Sequence, residues 1–281
     1  MKALFDVAAP AKLNLFLHVT GQRDDGYHLL QSVFMLIDWC DTLHFEANST
    51  GLIRRHDLGT ALPADDLITR AARLLQQSTG TPLGVDISID KRIPAQAGMG
   101  GGSSDAASTL LALNRLWALH QDLPTLEKLG LALGADVPFF LRGRNAWVEG
   151  VGERITPIEL PPSRFIVLKP AAGVETASIF RHPQLERATK PATIADFAAD
   201  PYGFGHNDLQ AVASMLCPEV SQAIGLIESQ GLQARMTGSG SAVFAHCAQG
   251  NVAIQAPDQW IVRECSNLEV HPLCGWASSD N

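Results

Sequence analysis

The sequence predicts an α+β protein built from two domains, because strand and helix patterns alternate in both halves of the chain. Apolar residues recur at every second position over residues 12–19 and 85–89, which is typical of strands with one buried face. Over residues 67–77 they recur at helical spacing. A proline-rich stretch separates the two halves, so we expect domains of residues 1–160 and 161–281.

Each half contains several predicted elements. The first half has a strand over 12–19, a turn at 24–26, a strand over 29–37, a helix over 67–77, a strand over 85–89, a helix that includes 106–117 and a helix over 126–133. The second half has a strand over 165–168, helices over 208–215 and 219–230, and a strand over 242–246. We expect Ser103 or Ser104 to cap the helix after the glycine-rich loop, and Gly134 to end the next one.

Composition and charge indicate a soluble globular protein that binds neither nucleic acid nor membranes. Apolar residues make up 46% of the 281 positions, which is enough for a sizeable core. The formal net charge of −8 leaves no basic surplus to meet nucleic-acid phosphates or anionic lipids. The chain shows neither a signal peptide nor an apolar run of about 18 residues. Its five cysteines form no Cys-x-x-Cys pair, so we expect a reducing, cytoplasmic location.

A glycine-rich loop before the first long helix predicts phosphate binding. Four of the five residues from Gly98 to Gly102 are glycine, which lets backbone N–H groups approach an anion. The helix N-terminus adds partial positive charge. A tight turn would also use glycine, but strand, loop and helix together favour a triphosphate site. The loop lacks the lysine of a P-loop, and Ser103 replaces the third glycine of a dinucleotide loop.

Three blocks of sequence carry a family resemblance. Residues 10–15, 94–108 and 236–241 resemble, in this order, the signature segments of the galactokinase, homoserine kinase, mevalonate kinase and phosphomevalonate kinase superfamily. The resemblance implies ATP-dependent phosphorylation of a small alcohol in a cleft between the domains. It also implies an N-terminal domain like domain 2 of ribosomal protein S5 and a ferredoxin-like C-terminal domain.

Four further blocks, residues 26–28, 133–140, 149–153 and 207–209, resemble one branch of that superfamily. This branch phosphorylates the 2-hydroxyl of a methylerythritol that carries a cytidine diphosphate group, in the non-mevalonate route to isoprenoid precursors. Two alternatives stay open at this point. One is a kinase of the superfamily with a different small alcohol as acceptor, and the other is a nucleotide-binding relative without activity.

The resemblance assigns catalysis to Lys12 and Asp136. The acceptor hydroxyl needs a group that takes or orients its proton, and a carboxylate beside an ammonium group suits this. From the residues alone, Asp136 is more typical of a turn or cap, and Lys12 and Asn14 are more typical of a solvated strand face. The resemblance favours catalysis in both cases, with Asn14 orienting Lys12 or the acceptor. An inactive relative would be expected to lose this pair, which the chain retains.

ATP is the expected co-substrate, and Mg²⁺ is expected with it. The resemblance places the nucleotide against Pro94, Gly98, Gly100, Gly101, Gly102, Ser103 and Ser104. Ser103 or Ser104 could supply one metal ligand, but the sequence assigns no metal residue. Asp66 stands where the family has an asparagine beside the adenine pocket, so two amide donors are lost there.

The resemblance places the substrate against eight residues. They are Asn14, Tyr27, His28, Val151, Thr176, Phe180, Gly238 and Ser239. Tyr27 and Phe180 would hold the cytosine between them, since aromatic faces stack on pyrimidines. His28 would contact the base through its ring or through its backbone. A tyrosine packed at a surface rim is the alternative for Tyr27.

Overall fold

The computed structural model describes residues 1–247 and 252–277, which form two β-sheets with helices packed against them. The strands of the first sheet are β1 (Ala3–Gln22), β2 (His28–Asn48), β3 (Ile53–Asp57), β4 (Gly84–Asp90), β5 (Ala146–Gly150) and β6 (Arg154–Pro157). Their order is β3-β4-β2-β5-β6, and β1 pairs with β2 as a long antiparallel hairpin. Only β3 and β4 run parallel among the strand pairs of the described ranges. The hairpin carries Lys12 and Asn14 on its first strand.

Four helices belong to the first half. They are α1 (Leu67–Thr79), α2 (Gly101–Leu116), α3 (Leu123–Leu133) and α4 (Val137–Arg142). Asp66 is the N-cap residue of α1, and its side chain accepts a hydrogen bond from the Thr69 N–H at 3.0 Å. Apolar faces of these helices and of the sheet form one core cluster, in which α2 is buried along most of its length.

One expectation about helix ends is corrected by the structure. Helix α2 begins at Gly101, and its N-cap residue is Gly100 with φ of 70°, so neither Ser103 nor Ser104 caps it. Its first turn therefore keeps N–H groups that lack intrahelical partners. Asp136 lies in the short turn between α3 and α4, as N-cap residue of α4 without a side-chain capping bond. This helix is six residues long, too short to produce a helical apolar pattern in the sequence.

The second sheet is antiparallel and consists of β7 (Arg164–Lys169), β8 (Ala234–Met236), β9 (Val243–His246) and β10 (Ile261–Ser266). Its order is β10-β7-β9-β8, which puts the fourth strand beside the first and the third beside the second, as in ferredoxin-like domains. Its helices are α5 (Thr176–Arg181), α6 (Ile194–Ala198), α7 (Asp208–Leu216) and α8 (Pro218–Glu228). The predicted α+β architecture of two domains is confirmed.

Some residues of each half are buried in the hydrophobic core of the other half. Leu17 and Val19 of β1 belong to the core cluster of the second sheet, and the Leu17 N–H donates to the His206 carbonyl at 2.9 Å. In return, Leu273 and Ala277 are buried in the core of the first half. Each half therefore completes the other. Among the described residues, no helix is both long and apolar enough to cross a membrane.

Candidate active site

Two cavities meet at the glycine-rich loop. The cleft cavity, of about 180 Å³, lies between the two halves and has Lys12 and Phe180 in its walls. The loop cavity, of about 380 Å³, lies against the first turn of α2, where Ser103 lines it. Gly98 and Gly100 line both cavities. A molecule in one cavity is therefore separated from a molecule in the other by little more than glycine backbone.

Most of the predicted site residues lie in these walls. Those of the cleft cavity are Lys12, Asn14, Gly98, Gly100, Asp136, Val151, Thr176, Phe180, Gly238 and Ser239. Those of the loop cavity are Pro94, Gly98, Gly100, Gly101, Gly102 and Ser103. Three predicted residues line neither cavity. Ser104 is buried within α2, Tyr27 is 65% exposed before β2, and His28 packs its ring against Phe180 with 4.9 Å between centroids.

Lys12 is held beneath the cleft cavity. Its backbone N–H donates to the Met99 carbonyl at 3.0 Å, which ties β1 to the glycine-rich loop. Its side chain is buried, lies over the Phe34 ring at 4.5 Å from the centroid, and donates to Oδ1 of Asn14. Burial lowers the pKa of Lys12, and the carboxylate of Asp136 only partly opposes this. The ammonium group is therefore poorly solvated and favours a negative partner.

Asp136 supplies that partner at the mouth of the cleft. Its Oδ2 lies 3.6 Å from Nζ of Lys12, and its side chain is 31% exposed. The turn that presents it is closed by the Val137 N–H, which donates to the Gly134 carbonyl at 3.1 Å. An accessible carboxylate beside a buried ammonium group can accept a proton from a hydroxyl placed against both.

Asn14 has a fixed orientation. Its Nδ2 donates to Oγ of Ser32 at 2.8 Å, and this hydroxyl donates to the Phe16 carbonyl at 2.5 Å. Because the amide nitrogen is used in this way, Oδ1 faces the Lys12 ammonium. The Asn14 N–H donates to Oγ1 of Thr237 at 2.9 Å. Sequence reasoning missed Ser32 and Thr237; Thr237 lies inside the recognised block 236–241, whereas nothing in the sequence marks Ser32.

The glycine-rich loop touches the loop 237–240 so closely that side chains are excluded. Gly98 has φ of 71°, and a β-carbon there would lie 2.1 Å from the Thr237 carbonyl oxygen. A β-carbon at Gly238 would lie 2.7 Å from the Gly98 carbonyl oxygen. One at Gly100 would lie 2.9 Å from Cζ of Phe140. The glycines are thus required for packing between the loops as well as for an open cavity.

Asn207 holds the loop 237–240 from below. Its Nδ2 donates to the carbonyls of Met236 at 2.7 Å and Gly238 at 2.8 Å, while its Oδ1 accepts from the Leu209 N–H at 2.9 Å. The neighbouring Asp208 accepts from the Val19 N–H at 2.6 Å. The block 207–209 therefore joins α7, β1 and the loop at the cleft.

A buried charge cluster lies behind the loop cavity. Nζ of Lys91 donates to Oδ2 of Asp105 at 2.7 Å and also to Asp41. The other oxygen of Asp41 accepts from the N–H groups of Arg92 and Ile93 at 2.6 and 2.7 Å. Burial raises the pKa of Asp105 to about 8. Burial alone would lower the pKa of Lys91, but the carboxylates of Asp105 and Asp41 raise it.

Asp66 lines the loop cavity but already has partners. Besides capping α1, its Oδ1 lies 2.8 Å from Nη1 of Arg55. Arg55 also donates from Nε to Oδ1 of Asp57 at 2.7 Å. The charge that the family resemblance led us to expect beside the adenine is thus paired within the protein.

Two family models match the segments of the chain that carry the candidate site. The model for the GHMP kinases N terminal domain matches residues 66–144, and the GHMP kinases C terminal model matches residues 191–267. Together these segments make up more than half of the chain. The first includes the glycine-rich loop and Asp136, and the second includes the block 207–209 and the loop 237–240.

Full-length relatives narrow the family further. A 4-diphosphocytidyl-2-C-methyl-D-erythritol kinase of Paracidovorax citrulli is 63% identical over 285 residues, covering 100% of each chain. A crystal structure of a 4-(cytidine 5′-diphospho)-2C-methyl-D-erythritol kinase is 36% identical, with a TM-score of 0.76 over 92% of this chain and 98% of that one. A homoserine kinase structure from Cytophaga hutchinsonii, 14% identical with a TM-score of 0.67 over 96% of each chain, shares the fold. The chain belongs to the GHMP kinases and, within them, to the 4-diphosphocytidyl-2-C-methyl-D-erythritol kinases.

Proposed function

We propose that this kinase transfers the γ-phosphoryl group of ATP to the 2-hydroxyl of 4-diphosphocytidyl-2-C-methyl-D-erythritol. The observation that carries the proposal is the shared wall of the two cavities at Gly98 and Gly100. ATP in the loop cavity would direct its terminal phosphate past this wall toward Lys12 and Asp136. The named substrate rests on the relatives and on the fit of an aromatic wall at Phe180 to a pyrimidine.

The proposed reaction is an in-line displacement. The acceptor oxygen forms a bond to the γ-phosphorus as the bond from phosphorus to the β,γ-bridging oxygen breaks, and ADP leaves. Asp136 takes the proton of the acceptor hydroxyl, and Lys12 stabilises the negative charge that develops. Asn14 orients Lys12 through Oδ1 and thereby keeps the ammonium aimed at the cleft.

The nucleotide phosphates are assigned to the first turn of α2. Its leading N–H groups, from Gly101 to Ser103, have no intrahelical partners, and these residues line the loop cavity. Mg²⁺ is proposed to arrive with ATP and to neutralise phosphate charge. Oxygen donors fit this ion, since Ser103 lines the cavity and Oδ1 of Asp105 is buried without a hydrogen-bond partner.

The base of the acceptor is assigned to the outer end of the cleft. Phe180 lines the cleft cavity, and His28 packs beside it. Tyr27 precedes His28 and is accessible, so its ring can cover a base held against Phe180. Val151, Thr176, Gly238 and Ser239 would contact the sugar and diphosphate. Thr176 at the start of α5 and Ser239 in the loop 237–240 are joined by a hydroxyl–hydroxyl hydrogen bond of 2.7 Å.

The proposal also includes a domain boundary and a cellular location. We place the domain boundary at residue 160, which lies between the end of β6 and the start of β7. We also propose a cytoplasmic location, for which the five unpaired cysteines are the support.

The test is ADP release by the purified protein with ATP, Mg²⁺ and a panel of acceptors. The panel contains the cytidine diphosphate-linked methylerythritol, methylerythritol 4-phosphate, mevalonate, homoserine and galactose. We expect efficient turnover with the first acceptor alone. Turnover of another member with equal or greater efficiency would keep the kinase assignment and reject the named substrate. No ADP release with any member, from protein that binds ATP, would favour an inactive nucleotide-binding relative.

A further inference from the structure

Arg187 connects the start of β2 with the end of α5. Its Nε donates to Nε2 of His28 at 3.1 Å. Its Nη2 donates to the carbonyls of Phe180 and His182, each at 2.9 Å, and its Nη1 to the Leu185 carbonyl at 3.0 Å. The guanidinium group therefore fixes His28 relative to Phe180, whose ring lies in the wall of the cleft cavity.

The contact also fixes the position of a proton on His28. A guanidinium group only donates hydrogen bonds, so Nε2 of His28 must be the acceptor. In a neutral imidazole, the proton then resides on Nδ1. The accepting Nε2 requires a neutral ring, and burial and, after it, the charge of Arg187 lower the pKa of His28 in the same direction. Nδ1–H is consequently a donor on a ring that is held against Phe180, a residue of the cleft wall.

We propose that Arg187 is a positioning residue that holds His28 as the Nδ1–H tautomer and so gives the base site a fixed hydrogen-bond donor. The use of this donor rests on the proposed function, whereas the tautomer does not. Cytosine presents an acceptor at N3, but uracil presents an N–H donor at the same position. A fixed donor on His28 therefore favours cytidine over uridine, and a ring free to change tautomer would discriminate less.

The tautomer is tested first, without any substrate. Two-dimensional ¹H–¹⁵N spectra of the full chain distinguish the nitrogen that carries the proton, and the His28→Ala variant identifies the His28 signals. We expect the Nδ1–H form in the unmodified protein at neutral pH. In Arg187→Met, we expect a mixture or the Nε2–H form. An Nε2–H ring in the unmodified protein would overturn the proposal even if the variant did not fold.

The donor is tested by binding of cytidine 5′-diphosphate and uridine 5′-diphosphate, measured by calorimetry. Arg187→Met should lower the preference for the cytidine form by roughly 10-fold, about the value of one hydrogen bond. In a His28→Ala background the same change should have no further effect on the preference. Equal weakening of both nucleotides by Arg187→Met would mean that Arg187 is merely structural, and would overturn the proposal.

Arg181→Met is the matched control. Arg181 is exposed on α5, and its Nε donates at 3.1 Å to the Ala177 carbonyl within the same helix. The substitution removes the same positive charge and a similar hydrogen bond to a helix carbonyl. Arg181 itself does not reach His28. We expect an unchanged tautomer and an unchanged preference. If the unmodified protein has the Nδ1–H tautomer but binds both nucleotides equally, the cytidine site of the proposed function fails and the donor role with it.

Discussion

Nζ of Lys12, buried in β1, lies 3.6 Å from Oδ2 of Asp136, which is partly exposed at the start of α4. The two charges therefore lie at different depths of the cleft. The carboxylate reaches solvent at the mouth of the cleft, while the ammonium group lies beneath it. Because one group is exposed and the other is buried, we expect substitutions of Asp136 and Lys12 to have different effects.

Asp136→Asn should lower kcat by roughly 10²–10⁴, the usual contribution of general acid–base catalysis, with little change in ATP affinity. Steady-state kinetics and calorimetry with an ATP analogue measure the two quantities. Asp122→Asn is the matched control, because Asp122 is also an N-cap residue but caps α3, where asparagine serves equally well. A near-normal kcat for Asp136→Asn would remove Asp136 from the catalytic role.

Lys12→Met should lower kcat yet leave the fold at least as stable. The folded protein holds Lys12 with a pKa below its ordinary 10.5, so at pH values between the folded and unfolded pKa the unfolded chain binds more protons. The free energy of unfolding of the unmodified protein should therefore rise, relative to Lys12→Met, as pH increases through this window. Denaturant unfolding at several alkaline pH values measures the difference. A difference that stays constant with pH would show that Lys12 is not destabilised by burial.

Gly98→Ala should impair both folding and ATP use. The added β-carbon would meet the Thr237 carbonyl, and alanine at positive φ costs about 1–3 kcal/mol before any clash. Gly80→Ala is the control, since Gly80 has a similar φ of 66° but nothing within 4 Å of its β-carbon position. Thermal unfolding and kcat/KM should show a much larger loss for Gly98→Ala. Equal losses would mean that the loops do not touch as described.

Asn207→Asp should reduce activity beyond its effect on stability. The carboxylate can still accept from the Leu209 N–H, but it leaves two carbonyls without donors, a cost of about 1–3 kcal/mol. Asn114→Asp is the control, because Asn114 is equally buried and donates to the Gln121 carbonyl at 3.0 Å, far from the cleft residues. We expect similar losses of unfolding free energy and a fall in kcat only for Asn207→Asp. A kcat loss in both variants would remove the positioning role.

Methylerythritol 4-phosphate, which lacks the cytidylyl group, should be phosphorylated at least about 100-fold less efficiently than the complete acceptor. This lower limit on the loss of efficiency follows from ~1–3 kcal/mol for stacking of the base, together with the hydrogen bonds that would be left unpaired. Binding energy from the distant base orients the reacting hydroxyl, so kcat should fall as well as affinity. Equal kcat/KM for both acceptors would contradict a base site at Phe180.

Patterns within a short stretch of sequence predicted the main strands and helices, because periodicity records which face is buried. Contacts between distant segments were not predictable in this way. Ser32, Thr237 and Arg187 acquire their roles from partners far along the chain, and a single sequence contains no sign of those pairs. The capping prediction was wrong because Gly100 adopts a positive φ, which starts α2 before the serines.

Asp66 shows a different limit of sequence reasoning. Its charge was interpreted as a loss of adenine contacts, since an aspartate lacks the amide donors of asparagine. In the structure it caps α1 and pairs with Arg55. Asp66 lines the loop cavity, but only the fold showed which groups its side chain contacts.

The return of residues 268–277 to the first core has a consequence for synthesis on the ribosome. Leu273 and Ala277 are buried there, and the Trp276 ring lies under the guanidinium group of Arg115 in α2, 4.5 Å from its centroid. The first half is made first but lacks part of its apolar interior until the last of these residues emerges. A chain that stops at residue 267 would retain every proposed catalytic group and still leave an apolar surface uncovered, open to aggregation or to proteases.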